Sequence, residues 1–281
     1  MKTYIKGLLV LITVILTSCS DVIEVDVPVA APRLVIEASI DWEKGTSGSE
    51  QTIKLSTSTP YFNSNENNVV TGAQVTISND TDNSQFVFND MNDGTYTISN
   101  FVPIADENYT LEVVYNGETY IAKETLIPVV DINEVYQSLD GGFDDEVLEV
   151  NVDFIDPVDE ENYYFFKFRE QGDLLPELLD ISDEFTDGNK MNVFYEKEED
   201  DDINQKEFEA GDIANIEFYG VSEQYSNYIR LLIEQYESVG DPFSTIPVAL
   251  RGNCTNPANP DNYAYGYFRL SQVVKTSYTF Q

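Results

Sequence analysis

The chain has no histidine, two cysteines and one tryptophan among its 281 residues. Without histidine it cannot form a Ser-His-Asp triad or a histidine-ligated zinc site, and it lacks the commonest general base of enzymes. Cys254 would need a cationic neighbour to become a nucleophilic thiolate, so a buried or loop thiol is expected. The single tryptophan, Trp42, disfavours a tryptophan platform for carbohydrate, although tyrosines could replace it. Several large classes of enzyme are therefore excluded.

Basic residues are also scarce, with 15 Lys and Arg against 51 Asp and Glu and a net charge of −36. Nucleic acid is excluded as a partner because so few cations cannot neutralise phosphates, and polybasic binding to anionic lipid is excluded for the same reason. The chain also lacks a Gly-rich phosphate loop and a Cys-x-x-Cys pair. Its hydrophobic content of 42% is sufficient for packed cores, so the chain is globular and not disordered.

The first 19 residues have the layout of a bacterial lipoprotein signal. Lys2 and Lys6 precede an apolar stretch at residues 8–16, and residues 16–19 end at Cys19 like a lipobox. A spanning anchor needs roughly 20 apolar residues, and an ordinary signal peptide ends in an Ala-x-Ala-like site, which this sequence lacks. We therefore predict a signal peptide at 1–18, acylation of Cys19, a lipidated linker at 19–32 and attachment to a membrane through lipid alone.

Short β-rich runs separated by turn residues fill residues 33–128. In the third run Val75 and Ile77 alternate with polar residues, and Asn116 and Gly117 provide a tight turn between the last two runs. Seven strands of this kind predict an immunoglobulin-like β-sandwich. The predicted strands are residues 33–40, 51–57, 73–78, 85–88, 92–98, 109–115 and 119–125.

Residues 129–281 predict a β-rich C-terminal domain with one amphipathic helix near residues 221–238, so the fold class is mainly β. Apolar side chains recur there at spacings of three and four, and Ser222 is a suitable N-cap. Since Arg230 is the only basic residue in the helix, packing on the domain's own sheet is favoured over a membrane or partner surface. The striped side chains are Tyr225, Tyr228, Ile229, Leu232, Ile233 and Tyr236.

Two acidic runs are candidates for calcium binding, because Ca²⁺ prefers hard oxygen ligands. Neither run has EF-hand spacing, and a run of like charges is usually a solvated loop. We therefore predict no cofactor, with calcium as the alternative. Paired carboxylates could also serve glycoside hydrolysis, but that chemistry needs a defined separation in space, which sequence does not show. The calcium candidates are Asp140, Asp144, Asp145, Asp200 and Asp202.

Short motifs occur one after another along the predicted mature chain, and their order is informative. The motifs are Cys19, residues 33–38, 72–75 and 93–96, Asp156 with Pro157, residues 162–164, the helix at 225–236, Pro242 with Phe243, Gly252 with Asn253, and residues 266–268. In this order they resemble a family of Bacteroidota outer-membrane lipoproteins of unknown function, whose genes often lie beside those for TonB-dependent transporters. The early acids at residues 20–24 resemble the signal that brings such lipoproteins to the cell surface. The resemblance implies an aid to import, with no catalytic residues.

These observations predict a non-enzymatic lipoprotein, anchored at the outer-membrane surface, that docks on a TonB-dependent transporter and helps capture or admit its ligand. The aromatic segments at residues 163–168 and 263–268 are candidates for ligand contact, although core packing is the favoured explanation for most of their rings. An adhesin or structural envelope protein is the main alternative, and a glycan-active enzyme is a further one. Cys254 receives no role from the resemblance.

Overall fold

The structure is a computed structural model that describes residues 31–59, 68–139, 141–142, 146–197, 199, 205–238 and 250–281. Residues from Pro32 to Gln281 form one compact unit. The described residues contain fourteen strands and one helix, which confirms the mainly β class. They are β1 (Leu34–Glu43), β2 (Gln51–Thr57), β3 (Gln74–Asn79), β4 (Gln85–Asp90), β5 (Thr95–Ile98), β6 (Asn108–Tyr115), β7 (Glu118–Ile127), β8 (Ile132–Ser138), β9 (Glu149–Ile155), β10 (Tyr163–Glu170), β11 (Glu177–Ser182), β12 (Lys190–Glu196), β13 (Ile213–Val221), α1 (Glu223–Glu237) and β14 (Tyr265–Thr279).

All seven strands predicted in residues 33–128 are present, as β1 to β7. These strands form because apolar and polar side chains alternate along the sequence. In β2 the side chains of Ile53 and Leu55 are buried, whereas those of Thr52 and Lys54 are exposed. Successive side chains of a strand point to opposite faces, so this pattern gives the strand one face toward a core. The β6–β7 hairpin turns at two residues with positive φ, as its Asn-Gly sequence predicts.

The first seven strands and the last strand close into a ring of eight. The hydrogen-bonded order is β1-β2-β5-β4-β3-β6-β7-β14, and β14 returns to β1 through a parallel pairing. The β4–β5 and β7–β14 joins are short, with two residue pairs each. The predicted sandwich is therefore corrected to a closed, barrel-like ring. The prediction missed the closure because the closing strand comes from the far end of the chain, where local periodicity gives no information about its partner.

β14 belongs to both halves of the protein. Its residues 265–273 pair with β1, and its residues 273–279 pair with β13. The core inside the ring consequently contains Phe268 and Leu270 of β14, together with Cys254. The division of the chain at residue 128 stays a prediction, and the structure adds that the last strand contributes to both sides of it.

Beyond the ring, β14 continues into a sheet with β13, β10 and β11, while β12, β9 and β8 form a separate three-stranded sheet. Aromatic side chains from both sheets share one core. The ring of Phe166 lies 5.5 Å from that of Phe168 and 4.4 Å from that of Phe218. Phe154 of β9 packs on Phe218 at 4.8 Å. Burial of these large rings explains why the aromatic segment after Asn162 forms a central strand.

α1 packs on the outer face of the sheet that contains β10, β13 and β14. Ser222 caps the helix as predicted, since its Oγ accepts a hydrogen bond from the backbone N–H of Tyr225 at 3.1 Å. Tyr225 and Ile229 are buried, but Leu232 and Tyr236 of the predicted stripe are 39% and 71% exposed. Packing on the protein's own sheet is therefore confirmed for the first half of the helix.

Arg269 of β14 is buried where the ring and the second sheet meet. Its Nη2 donates a hydrogen bond to Asp41 Oδ1 of β1 at 2.6 Å. Its guanidinium carbon lies 4.6 Å from the ring centre of Tyr219 and 5.1 Å from that of Tyr225. Burial is the largest influence and opposes the charge, but the Asp41 carboxylate, Tyr225 and Tyr219 together outweigh it and raise the pKa of Arg269. One buried cation therefore joins β1, β13, β14 and α1.

Gly266 lies where β14 comes closest to β1, and its replacement tests that contact. Its φ is +86°, and a Cβ there would overlap the carbonyl oxygen of Ile36. Gly266→Ala should lower the free energy of unfolding, measured by urea denaturation, by about 3 kcal/mol. The alanine would have to adopt a left-handed backbone conformation, and its Cβ would also overpack the contact with β1. Gly117→Ala is the matched control, since φ is +79° and no neighbouring atom lies within 4 Å of the added Cβ. The control should lose only about 1 kcal/mol, the cost of the left-handed conformation for a residue that has a Cβ, and equal losses would contradict the close approach.

Candidate metal centre

The lipidation and calcium sites predicted from the sequence lie outside the described residues. Cys19 belongs to this group, as do the signal peptide at 1–18 and all five acidic candidates. Acylation and calcium binding at these positions stay predictions. The acidic candidates are Asp140, Asp144, Asp145, Asp200 and Asp202.

The two aromatic segments predicted as ligand contacts are mainly core. Tyr164 and Phe166 are buried between the two sheets, and Phe268 is buried inside the ring. Tyr263 is partly exposed, and the guanidinium of Arg33 lies 4.3 Å from its ring centre. Core packing, the favoured explanation, is confirmed for most of these rings.

Cys254 is a buried thiol, as the sequence predicts. Burial raises the pKa of Cys254 to about 12, so the thiol is protonated at neutral pH. A nucleophilic cysteine must form thiolate, which this environment opposes. The side chain belongs to the core of the ring and is therefore a packing residue.

Three aspartates that the sequence analysis did not select as ligands meet in space. The ligand oxygens of Asp156, Asp183 and Asp187 all lie within 4.8 Å of one another. Asp156 comes directly after β9, Asp183 directly after β11, and Asp187 just before β12. Asp156 and Asp183 are buried and Asp187 is exposed. The ends of three strands therefore bring three carboxylates together, and we call them the aspartate cluster.

Hydrogen bonds hold the two buried members of the aspartate cluster. Asp156 Oδ1 accepts from the hydroxyl of Tyr164 at 2.7 Å, and Asp156 Oδ2 accepts from the backbone N–H of Gly188 at 3.1 Å. Asp183 Oδ2 accepts from the backbone N–H of Asn162 at 3.0 Å. Burial, together with the neighbouring Asp156 carboxylate, raises the pKa of Tyr164, so its hydroxyl remains a donor. These donors orient the carboxylates but bring no positive charge.

Repulsion within the aspartate cluster favours a bound cation. In the described part of the chain, no lysine or arginine forms an ion pair with any of the three aspartates. Two unit charges 4.8 Å apart repel by about 3.5 kcal/mol at an effective dielectric constant of about 20. Calcium lies about 2.4 Å from its oxygen ligands, so two ligands of one ion are at most about 4.8 Å apart. The cluster satisfies this limit, and Asp156, Asp183 and Asp187 could together hold a divalent ion.

A cleft of about 580 Å³ opens beside the aspartate cluster. Its lining has eight carboxylates and one arginine, Arg230, which gives a formal charge of −7. In its wall Asp180 Oδ2 accepts a hydrogen bond from Ser226 Oγ of α1 at 3.0 Å, and burial raises the pKa of Asp180. We call this opening the acidic cleft, and its charge suits a positively charged ligand. The lining acids are Asp159, Glu160, Glu161, Asp180, Asp183, Glu184, Asp187 and Glu223.

Fold and site together define a mainly β protein with a closed eight-stranded ring and an acid-lined cleft. The chain belongs to the family described as a domain of unknown function, DUF4249, whose family model matches residues 20–277. No curated protein matches the chain.

Two solved structures show a distant similarity. One is a segment of two fibronectin type-III domains from chicken tenascin, with 14% identity and a TM-score of 0.22 over 67% of this chain and 90% of that one. The other is the chicken interferon gamma receptor alpha chain, with 9% identity and a TM-score of 0.21 over 69% of this chain and 90% of that one. TM-scores this low support no argument about fold or function.

Asp156 of the aspartate cluster, and its hydrogen-bond partner Tyr164, lie within the motifs that carry the family resemblance. Asp156 precedes Pro157, and Tyr164 ends the motif at residues 162–164. Asp183 and Asp187 lie far along the chain from them, so no local spacing connects the three acids. The available signal was an Asp-x-x-x-Asp-Gly turn placed between two short strands, where a turn can present carboxylates to one point.

Replacement of Asp183 tests the aspartate cluster as a metal centre. Ca²⁺ at 100 times its dissociation constant should stabilise the wild-type protein by about 2.7 kcal/mol. Asp183→Asn removes one charge and should lower the affinity for Ca²⁺ about tenfold in isothermal titration calorimetry. Asp261→Asn, an exposed carboxylate outside the acidic cleft, is the matched control and should leave the affinity unchanged. The metal centre is wrong if both variants bind Ca²⁺ as the wild type does.

Proposed function

We propose that this protein is a lipid-anchored lipoprotein on the outer-membrane surface of a Bacteroidota cell, where it assists a TonB-dependent transporter without catalysing a reaction. Acyl chains on Cys19 hold it to the membrane, and the transporter is its protein partner. The acidic cleft receives a positively charged ligand, or a ligand that carries a divalent cation. The charge of this cleft is the observation that carries the ligand-binding role.

The arrangement of the chain around Cys19 supports the lipid anchor. The compact unit begins at Pro32, thirteen residues after Cys19, so the linker between acylated cysteine and folded body is short. In the described part of the chain, no helix has both the length and the apolar character needed to cross a bilayer. Each buried CH₂ of an acyl chain contributes about 0.8 kcal/mol, and two or three chains give stable attachment.

The charge of the acidic cleft determines the class of ligand. A formal charge of −7 repels anions and raises the local concentration of cations. Tyr163 lines the same cleft and is partly buried, so its ring can contact an organic cation. A ligand with ammonium groups or a chelated divalent ion satisfies both features.

An adhesin is the second candidate, because the acidic cleft could equally bind a basic segment of another surface protein. A structural envelope protein belongs to the same alternative. A glycan-active enzyme is a further candidate that would use two of the cleft carboxylates as acid and nucleophile. The identity of the co-purified partner separates these candidates, since an importer, a surface protein and a free glycan are different outcomes.

Replacement of the two cysteines tests the anchor. Cys19→Ala should abolish incorporation of labelled palmitate and move the protein out of the outer-membrane fraction, because no thiol remains at the lipobox. Cys254→Ala is the matched control, since this buried thiol packs in the ring core and receives no lipid. The control should keep the label and the fractionation of the wild type. Palmitate retained in Cys19→Ala contradicts the anchor.

Co-purification tests the partner. Affinity purification of the tagged lipoprotein from outer membranes, solubilised in mild detergent, should recover a TonB-dependent transporter identified by mass spectrometry. The Asp183→Asn variant should recover the same transporter, because the acidic cleft is assigned to the ligand and not to docking. Recovery of the lipoprotein alone under mild conditions would argue against the accessory role.

A further inference from the structure

Two arginines share one tyrosine ring beside the start of β1. The guanidinium carbon of Arg33 lies 4.3 Å from the ring centre of Tyr263, and that of Arg251 lies 4.2 Å from the same centre. Arg251 is exposed and Arg33 is partly buried. Because both distances end at one ring, the two guanidinium groups are close together, and we call them the arginine pair.

The surrounding backbone holds the arginine pair in place. Arg33 Nη1 donates to the carbonyl oxygen of Asp261 at 2.7 Å and to that of Tyr263 at 3.3 Å. Arg251 precedes Gly252, which approaches β14 so closely that a Cβ there would overlap a carbonyl oxygen of that strand. A guanidinium has five N–H donors, so Arg33 keeps donors for a ligand after these two contacts. The pair is therefore oriented before any ligand arrives.

The charge of the arginine pair is not balanced by an acid. Within the residues that the structure describes, neither Arg33 nor Arg251 forms an ion pair, whereas Arg269 is paired with Asp41. Two like charges near each other favour an ion of opposite sign between them. A guanidinium that is stacked on an aromatic ring matches the oxygens of phosphate in a bidentate geometry. The arginine pair is therefore suited to a phosphate group.

The arginine pair lies where the folded body begins. The compact unit starts at Pro32, so Arg33 is its first charged residue. Arg33 follows Cys19 by fourteen residues, and that length of chain spans at most about 50 Å. Among the charged residues of the body, Arg33 is thus the nearest along the chain to the proposed lipid anchor.

We propose that Arg33 and Arg251 bind the phosphate group of a lipid headgroup, at the membrane to which Cys19 attaches the protein. This proposal rests on the lipid anchor proposed above, because the anchor keeps the headgroups at a high effective concentration near the pair. The sequence excludes a polybasic surface, which sums many charges over a distance. The arginine pair acts instead by direct contact, and the contact turns the start of β1 toward the membrane.

The test measures the reactivity of single arginines in the acylated full-length lipoprotein. The protein is placed in nanodiscs of digalactosyldiacylglycerol, which has no phosphate, or of the same lipid with phosphatidylglycerol added. Phenylglyoxal then modifies the arginines, and peptide mass spectrometry gives the rate at each. Phosphatidylglycerol should slow the modification of Arg33 and Arg251 at least about tenfold, as expected for hydrogen bonds between charged groups. Arg169, an exposed arginine on β10, should react equally in both discs.

Single replacements separate phosphate binding from shielding by a nearby membrane. In discs with phosphatidylglycerol, Arg33→Gln should restore the reactivity of Arg251, because one guanidinium alone holds the phosphate weakly. Arg251→Gln should restore the reactivity of Arg33 in the same way. Since Arg251 is exposed, its replacement should also leave the melting temperature unchanged, which shows that the variant is folded. Arg169→Gln is the matched control and should leave both members of the pair protected.

Three results overturn the proposal. The first is an equal rate at Arg33 and Arg251 in the two kinds of disc. The second is protection of the remaining arginine in both single variants, which assigns the effect to shielding. The third is equal protection in galactolipid discs when inorganic phosphate is added, which assigns the pair to free phosphate. A lipoprotein that enters neither disc contradicts the anchor itself, so failure of the anchor is distinguished from failure of the arginine pair.

Discussion

β14 is the constraint on which the rest of the structure depends, because one strand supplies backbone hydrogen bonds to two separate cores. Its N-terminal part completes the ring against β1, and its C-terminal part begins the second sheet against β13. Neither core has its full set of strand partners without it. Arg269 reinforces the same junction, since its charge is held between Asp41 of β1 and the rings of Tyr219 and Tyr225. The two halves therefore share one strand and are not structurally independent of each other.

Local order was readable from the sequence, whereas long-range pairing was not. The alternation in β2, the Asn-Gly turn between β6 and β7 and the Ser222 cap are set by neighbouring residues, and each is found as predicted. Closure of the ring depends on β1 meeting a strand from the other end of the chain, and no periodicity encodes that meeting. The exposed Tyr236 shows the same limit. Helical spacing identifies the apolar face of α1, but it does not show how much of that face the sheet covers.

The candidate sites were less predictable than the fold, for a physical reason. In a chain with 51 acidic residues, sequence proximity of carboxylates carries almost no information. What distinguishes Asp156 and Asp183 is burial combined with a second carboxylate at close range, and both properties arise only when separate strands are assembled. The acidic runs that attract attention in the sequence are defined by charge alone. The aspartate cluster is defined by charges that the fold forces together.

The parallel pairing of the first strand with the last also determines the order in which the chain can complete itself. Synthesis at about 5–20 residues per second leaves β1 waiting roughly 10 to 45 seconds for β14. During that interval the nascent chain carries an unpaired strand edge, which is a template for association with other chains. A net charge of −36 keeps such chains apart through mutual repulsion. The excess of negative charge, which follows from the scarcity of lysine and arginine, thus reduces association between chains before the ring is closed by β14.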